Sequence, residues 1–333
     1  MKIFFIYLFL CSGIVYSSVP SVDFIDYSNP DRYLEIADSL GDQDEIISNA
    51  LKLKDNSDFI TIRNVLNWME SNLKYDPDRA YTWRNFEDAI KDKTYGGCAD
   101  QGIVCGVLLK GAGIPVIWIK TMDVSWIWDF KKGRKFESWS GHVFLEVYVD
   151  GKWMLLDPRA KMIYKDYSQK TRILPGNRFA YHKGNDPKEM IMSLQWEQWK
   201  EQTRTYFENL DDSLLPVDSE GGTSLLPQAY VVGNSPYYQF IMALAQKQGI
   251  TVAKSFNTGY DEFLPRAKGN ILIIETHDGV PIVSVNVLED YFPDASKGLQ
   301  NADGVFKVGD TTIVFLEFPE QLSKINLNGI IEE

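Results

Sequence analysis

The sequence predicts an α+β protein: a helix carrying a cysteine packs on an antiparallel sheet carrying a histidine and an aspartate, and a small α/β domain follows. Three observations predict it. A glycine pair, Gly96-Gly97, introduces Cys98 at the head of an apolar helical stretch. Gly141 to Pro158 alternates apolar and polar residues around Asp150-Gly151. Beyond residue 228, short strand-like runs alternate with a helical pattern.

The first 17 residues, MKIFFIYLFLCSGIVYS, have the pattern of a signal peptide. Lys2 precedes an apolar run, and Val15 and Ser17 are small residues suited to cleavage after Ser17. The unbroken apolar stretch from Ile3 to Leu10 is short of the roughly 20 residues a bilayer span takes. The mature chain is therefore expected to be secreted or periplasmic without an integral span, and membrane-anchored only if the segment stays uncleaved.

At 333 residues the chain exceeds one typical domain, and its 44% hydrophobic share is ample for a packed core. Its net charge of −12 is spread along the chain, and such a surface repels phosphate backbones, so nucleic acid is not an expected partner. The expected organisation is a signal peptide over 1–17, a helical extension over 18–50, a cysteine-bearing domain over 51–195, a linker over 196–228 and an α/β domain over 229–333.

Within the extension, Leu34, Ile36, Ala37 and Leu40 fall on one side of a short helical pattern. Next comes a clearer helix from Asp58 to Leu73, with Ile62, Val65, Leu66, Met69 and Leu73 at helical spacing. The helix opened by Cys98 ends where Gly111, Gly113 and Pro115 interrupt it, and Val116 to Thr121 reads as a strand. Trp126, Trp128 and Trp139 fall in a predicted loop. The segment from Gly141 to Pro158 is a hairpin whose tight turn is Asp150-Gly151. Two Ser-Leu-Leu-Pro runs flanking an acidic, Gly-rich piece suggest the linker. The last domain is read as a helix over Tyr237 to Gln248 and strands at Ile250, Ile271 to Glu275, Pro281 to Val287 and Thr311 to Phe318.

Without the signal peptide, two cysteines remain, Cys98 and Cys105. Seven residues apart on one helix, they would lie about 10 Å from each other, beyond the reach of a disulfide. The chain is thus not a disulfide scaffold, and each thiol is either buried and inert or has a task. Cys98 follows two glycines at a helix start, where unpaired N–H groups favour thiolate over thiol and are suited to receive an oxyanion. Asp100 in the first turn reads as a carboxylate complementing the helix dipole.

A thiol nucleophile wants an imidazole, and the chain offers His142, His182 and His277. His277 falls in a hairpin turn of the other domain, and His182 in a polar loop with no partner implied by spacing. His142 has one. With a two-residue turn at Asp150-Gly151, Val149 pairs with Lys152, so Asp157 lies opposite Phe144 and diagonal to His142 on the same face. Diagonal neighbours are about 7–8 Å apart at Cα, close enough for a carboxylate to orient the imidazole. The opposite face carries Val143, Leu145, Val147, Val149, Met154 and Leu156, an apolar set that must be buried and so pins the register. A core histidine satisfied by a carboxylate is the other reading of the same geometry.

The helix ending Asn-Leu-Lys-Tyr75, then Gly-Gly-Cys98-Ala-Asp, then Leu-Lys-Gly-Ala-Gly-Ile-Pro115, and finally Gly-His142-Val-Phe through Leu-Leu-Asp157-Pro occur in one order. Over about Asp58 to Asp166 the chain resembles the transglutaminase-like superfamily of papain-fold thiol enzymes, in its bacterial and archaeal form. The resemblance implies a papain-like transglutaminase core with Cys98, His142 and Asp157 as the family triad. Gly97 and Ala99 stand where animal cross-linking enzymes have Gln and Trp, so protein cross-linking is not carried over. Asp157-Pro158-Arg159 stands where the family often has Asp-Pro-Thr.

The expected function is acyl transfer at an amide, as peptidase, amidase or transglutaminase-like enzyme. The substrate would be a peptide or protein, with cell-wall peptide suggested by export. The alternative is a catalytically inactive binding module for peptide or glycan. Trp83 and Trp139 are the candidate substrate-binding residues, and Trp126 and Trp128 lie in segments that should border the same cleft or simply pack. No cofactor or metal is expected, because Cys and His do not cluster at ligand spacing.

Overall fold

The computed structural model describes residues 25–79, 82–133, 141–192, 196–215, 228–232, 241, 244–245, 247–248, 250–255, 270–277, 280–281, 285–300 and 304–327. The segment read as a signal peptide, Trp139 and much of the helix read over Tyr237 to Gln248 lie outside them.

The helices are α1 (Gln43–Leu51), α2 (Asp58–Asn72), α3 (Phe86–Asp92), α4 (Cys98–Gly111), α5 (Val124–Lys131), α6 (Trp196–Glu208) and α7 (Val285–Tyr291). In the first half the strands are β1 (Lys74–Tyr75), β2 (Thr94–Tyr95), β3 (Val116–Asp123), β4 (Gly141–Val149), β5 (Lys152–Asp157), β6 (Met162–Tyr164), β7 (Ile173–Leu174) and β8 (Arg178–Gly184). The second half adds β9 (Ala229–Val232), β10 (Val252–Ser255), β11 (Ile271–His277), β12 (Val280–Pro281), β13 (Val305–Val308) and β14 (Thr311–Leu316).

Apart from the short pair β1 and β2, these strands form one sheet in the order β13-β14-β11-β9-β10-β6-β5-β4-β3-β8-β7, with β12 beside β11. From β6 to β8 every pairing is antiparallel. The second half is different: β10, β9, β11 and β14 run parallel to one another, as expected of an α/β unit. Antiparallel pairing of β10 with β6 joins the two halves edge to edge.

Helix α4 packs on one face of β3 and β4, with α1 and α2 against it. Its glycines permit this close approach. A Cβ on Gly102 would lie 2.7 Å from Val143 Cγ1, and one on Gly106 would lie 2.6 Å from the Trp118 ring. The Trp118 indole N–H donates to the Gly102 carbonyl at 2.9 Å, so helix and strand are also joined by a polar contact. Ile46 and Ala50 of α1, within the segment read as an extension, join this same core.

Four elements differ from their reading in the sequence. Trp126 and Trp128 sit on helix α5, begun where the Asp123 side chain accepts the Trp126 N–H at 3.1 Å. The opening of the segment read as linker is helical α6, which buries Phe207 and Thr203. The β-branched run after Pro281 suggested a strand, yet Val285–Tyr291 is helix α7; Leu288 and Phe292, one helical turn apart, are both buried. His182 lies in strand β8 and is buried because β8 pairs with β3 inside the sheet, with His182 opposite Lys120; Lys183 beside it is matched by Glu146 at 2.7 Å.

Candidate active site

The hairpin of β4 and β5 sets the site. Asp150 and Gly151 have φ of 49° and 77°, the left-handed pair that a tight two-residue turn requires. Pairing runs from Val149 with Lys152 to Leu145 with Leu156, in the register expected from the turn. Val143, Leu145, Val147, Val149, Met154 and Leu156 are all buried in the core beneath α4. Both faces of the hairpin are buried, and slipping by one residue would turn His142, Glu146 and Asp157 into the apolar core beneath α4, where their polar groups would lose their partners. Register is therefore fixed by burial, and His142 is kept on the opposite face, its ring edge-on to Phe144 at 4.7 Å.

Strand β5 ends at Asp157, and Pro158 follows with no N–H to continue the ladder. In a two-residue hairpin the hydrogen-bonded positions alternate, so Val149, Val147 and Leu145 are followed by Val143. The Val143 N–H thus points into the space β5 has vacated, and there it meets the sulfur of Cys98.

Cys98 is the first residue of α4. Gly97 before it is extended and offers no side-chain cap, and a Cβ there would meet nothing, so the helix start opens onto free space. The half-buried Cys98 packs with Ala99, Trp83 and Tyr95 against the main core. Both cysteines are free thiols. Cys105, about two turns further along the same helix, is fully buried, and burial alone pushes its pKa far up.

The electrostatics of Cys98 and His142 move in opposite directions. Burial pushes the Cys98 thiol up. A hydrogen bond to His142, the charge of that ring, the charge of Arg159 and the Val143 N–H together outweigh this and hold it below the ordinary thiol value. Burial alone would lower the His142 pKa, but the negative charge of Asp157 and contacts with Asp157 and Cys98 push it up to about 9. The Nε2 atom of His142 lies 3.0 Å from Oδ1 of Asp157, a close but bent approach in which the N–H is not aimed along the line to the oxygen. The same oxygen accepts the backbone N–H of Arg159 at 3.1 Å and of Ala160 at 3.0 Å. Asp157 is fully buried.

A second buried pair lies beneath the cysteine turn. Oδ2 of Asp100 accepts from Nη2 of Arg84 at 2.5 Å and from the Gly96 N–H at 2.7 Å. Arg84 also donates to the Thr94 hydroxyl at 2.7 Å and to the Thr94 carbonyl at 3.1 Å. Asp100 thus does more than face the helix dipole.

Of the residues singled out in the sequence, Cys98, His142 and Asp157 come together. Trp83 is half-buried and, like Cys98, packs against the main core. Trp126 belongs to a separate cluster, stacked on Phe130 at 5.4 Å and edge-on to Phe207 at 6.1 Å. The Val143 N–H and Arg84 are not expected at the site from the sequence. The position of Pro158 is the one signal that would have pointed to Val143. Among the described residues no group of three His, Cys, Asp or Glu side chains is gathered where it would hold a metal ion, and no helix is long and apolar enough to cross a membrane.

Residues 47–158 match the family profile described as the Transglutaminase-like superfamily, a stretch that begins in α1 and ends just after Asp157. No curated protein matches the chain. Among solved structures, a Cytophaga hutchinsonii protein named as a candidate cysteine protease is similar at 18% identity and a TM-score of 0.37. That match covers 51% of this chain and 52% of the other, so this chain spans about half the length of that structure. The match is to the Transglutaminase-like superfamily and spans residues 47–158 of the chain.

Proposed function

We propose that this protein is an exported acyl-transfer enzyme acting on amide bonds, with Cys98 as nucleophile, His142 as general base and then acid, and Asp157 as the residue that orients and charges the imidazole. The observation that carries the reading is the meeting of three side chains: the Cys98 sulfur contacts the His142 ring and the Val143 N–H, and His142 Nε2 lies 3.0 Å from Asp157 Oδ1; consistent with it, the thiol is held below its ordinary pKa and the imidazole above it. Such a pair favours thiolate and imidazolium over thiol and neutral imidazole, the form a thiol nucleophile needs.

The thiolate attacks the amide carbonyl, and the C–N bond breaks as His142 delivers its proton to the departing amine, leaving a thioester on Cys98. Water, deprotonated by His142, resolves the thioester in hydrolysis; an amine does so in transamidation. Backbone N–H groups at the open start of α4 are suited to the oxyanion. Trp83, packed like Cys98 against the main core, and Trp139 are proposed to contact the acyl donor. Export makes extracellular peptides, cell-wall peptide among them, the favoured substrates.

Intact-mass measurement after mixing with an activated ester such as p-nitrophenyl acetate tests this. A single acetyl adduct on Cys98, absent from C98A and strongly slowed in H142A, is expected. A chain that accumulates no adduct and releases no acetate contradicts the proposal and favours the inactive binding module.

A further inference from the structure

Helix α4 begins at a glycine with no capping side chain, so the backbone turn that aims Cys98 must be held by something else. In an ordinary capping box the residue three positions into the helix reaches back to the N-cap N–H. Asp100 holds that third position but reaches one residue further, to the Gly96 N–H at 2.7 Å. Its carboxylate is tied to Arg84, which grips both the hydroxyl and the carbonyl of Thr94, two residues before Gly96. The exposures are 3% for Asp100 and 4% for Arg84. Oδ1 of Asp100 and Nε of Arg84 have no hydrogen-bond partner among the described residues. Arg84 also lies near Asp92, Nη1 to Oδ2 at 3.7 Å; since a buried ion pair gives a fold little net stability over an apolar alternative, a positioning role accounts better for its presence.

We propose that Asp100, braced by Arg84, is a positioning residue for the nucleophile: its carboxylate fixes the Gly96-Gly97 turn so that the Cys98 sulfur is held against His142 and the Val143 N–H. This rests on Cys98 being the nucleophile. Gly97, extended and open to solvent on its Cβ side, supplies no restraint of its own. Without the Asp100 anchor, two glycines in succession leave the thiol free to turn from the imidazole, and its pKa then returns toward that of an ordinary cysteine. Arg84 supplies the opposite charge that keeps the Asp100 carboxylate from disfavouring the thiolate nearby.

The test compares Asp100→Ala with Asp100→Asn by the rate of iodoacetamide alkylation of Cys98 as a function of pH, read by mass. Both variants remove the same charge, but only Asn keeps an acceptor for the Gly96 N–H, so their difference isolates the anchor. D100N is expected within about threefold of the parent at neutral pH. D100A is expected to be at least tenfold slower, with its acid-side midpoint moved toward that of a free thiol. Folded D100A that keeps the parental rate and midpoint overturns the inference, and so do equal losses in both variants. Should D100A fail to fold, Thr94→Val loosens Arg84 without stranding a charge; a slowing of about threefold is expected, and a parental rate overturns the inference. A parent no faster than free cysteine instead sinks the nucleophile assignment, and the inference with it.

Discussion

His142 and Asp157 stand 3.0 Å apart, Nε2 to Oδ1, with the oxygen simultaneously held by two backbone N–H groups from the turn after β5. The carboxylate is fixed by the chain that ends the strand, and so it can fix the ring. Because Asp157 is fully buried, its charge acts on His142 with little screening by water.

Asp157→Asn keeps the shape and removes that charge. Acylation of Cys98 is expected to fall by roughly 10³-fold or more, as when the orienting carboxylate of a triad is neutralised. Single-turnover acetylation followed by mass spectrometry measures it, and a loss under tenfold would show that Asp157 is merely a satisfied core carboxylate.

The pH dependence follows from the two displaced groups. Activity should rise on the acid side as Cys98 ionises below the ordinary thiol value, and fall on the basic side near pH 9 as His142 loses its proton. In D157N the basic limb should move to lower pH, since the charge that raised the His142 pKa is gone. The same shift has a stability consequence: a folded pKa above the unfolded value of about 6.5 means the contribution is full below that pH and is lost as pH rises through about 9. Rate profiles and denaturant titrations at several pH values check both limbs.

How much of this was legible in the sequence depends on how local the information is. The Asp150-Gly151 turn and the valine stripe determine their own register, which is why Asp157 could be placed beside His142 by counting. Cys98 came from its two glycines and the helix they open. Arg84 was not legible, because its meeting with Asp100 depends on how α3 and β2 fold back under α4, which no short spacing encodes. The burial of His182 was hidden likewise: Lys183 finds Glu146 only once β8 lies beside β3 and the sheet is assembled. Val285–Tyr291 was misread because valines fit either period, and only the packing of Leu288 and Phe292 decides between them.

The hairpin stripe should matter more than its surface. Leu145→Ala is expected to cost about 2–5 kcal/mol, because Leu145 is fully buried under α4. Lys152→Ala, at the exposed end of the same hairpin, should stay within about 0.5 kcal/mol. Chemical denaturation measures both, and equal effects would contradict a register fixed by burial.

His182 predicts acid lability. Burial, with the charge of Lys120 beside it, holds its pKa down to about 3, and neither ring nitrogen has a hydrogen-bond partner among the described residues. The unfolded chain titrates this group near 6.5, so between those values the unfolded state binds more protons and stability falls as pH falls. The slope from this one group approaches about 1.4 kcal/mol per pH unit. His182→Gln should flatten the stability curve between about pH 6 and 4, and an unchanged slope would remove His182 as the cause.

The most direct measurement is the ultraviolet absorbance of the Cys98 thiolate against pH, taken as the difference between the parent and C98A. The thiolate is expected to appear with its acid-side midpoint below that of an ordinary cysteine, and that midpoint is expected to move upward in H142A. Thiolate that appears only near pH 9, the value of an unperturbed thiol, and is indifferent to His142 would contradict it.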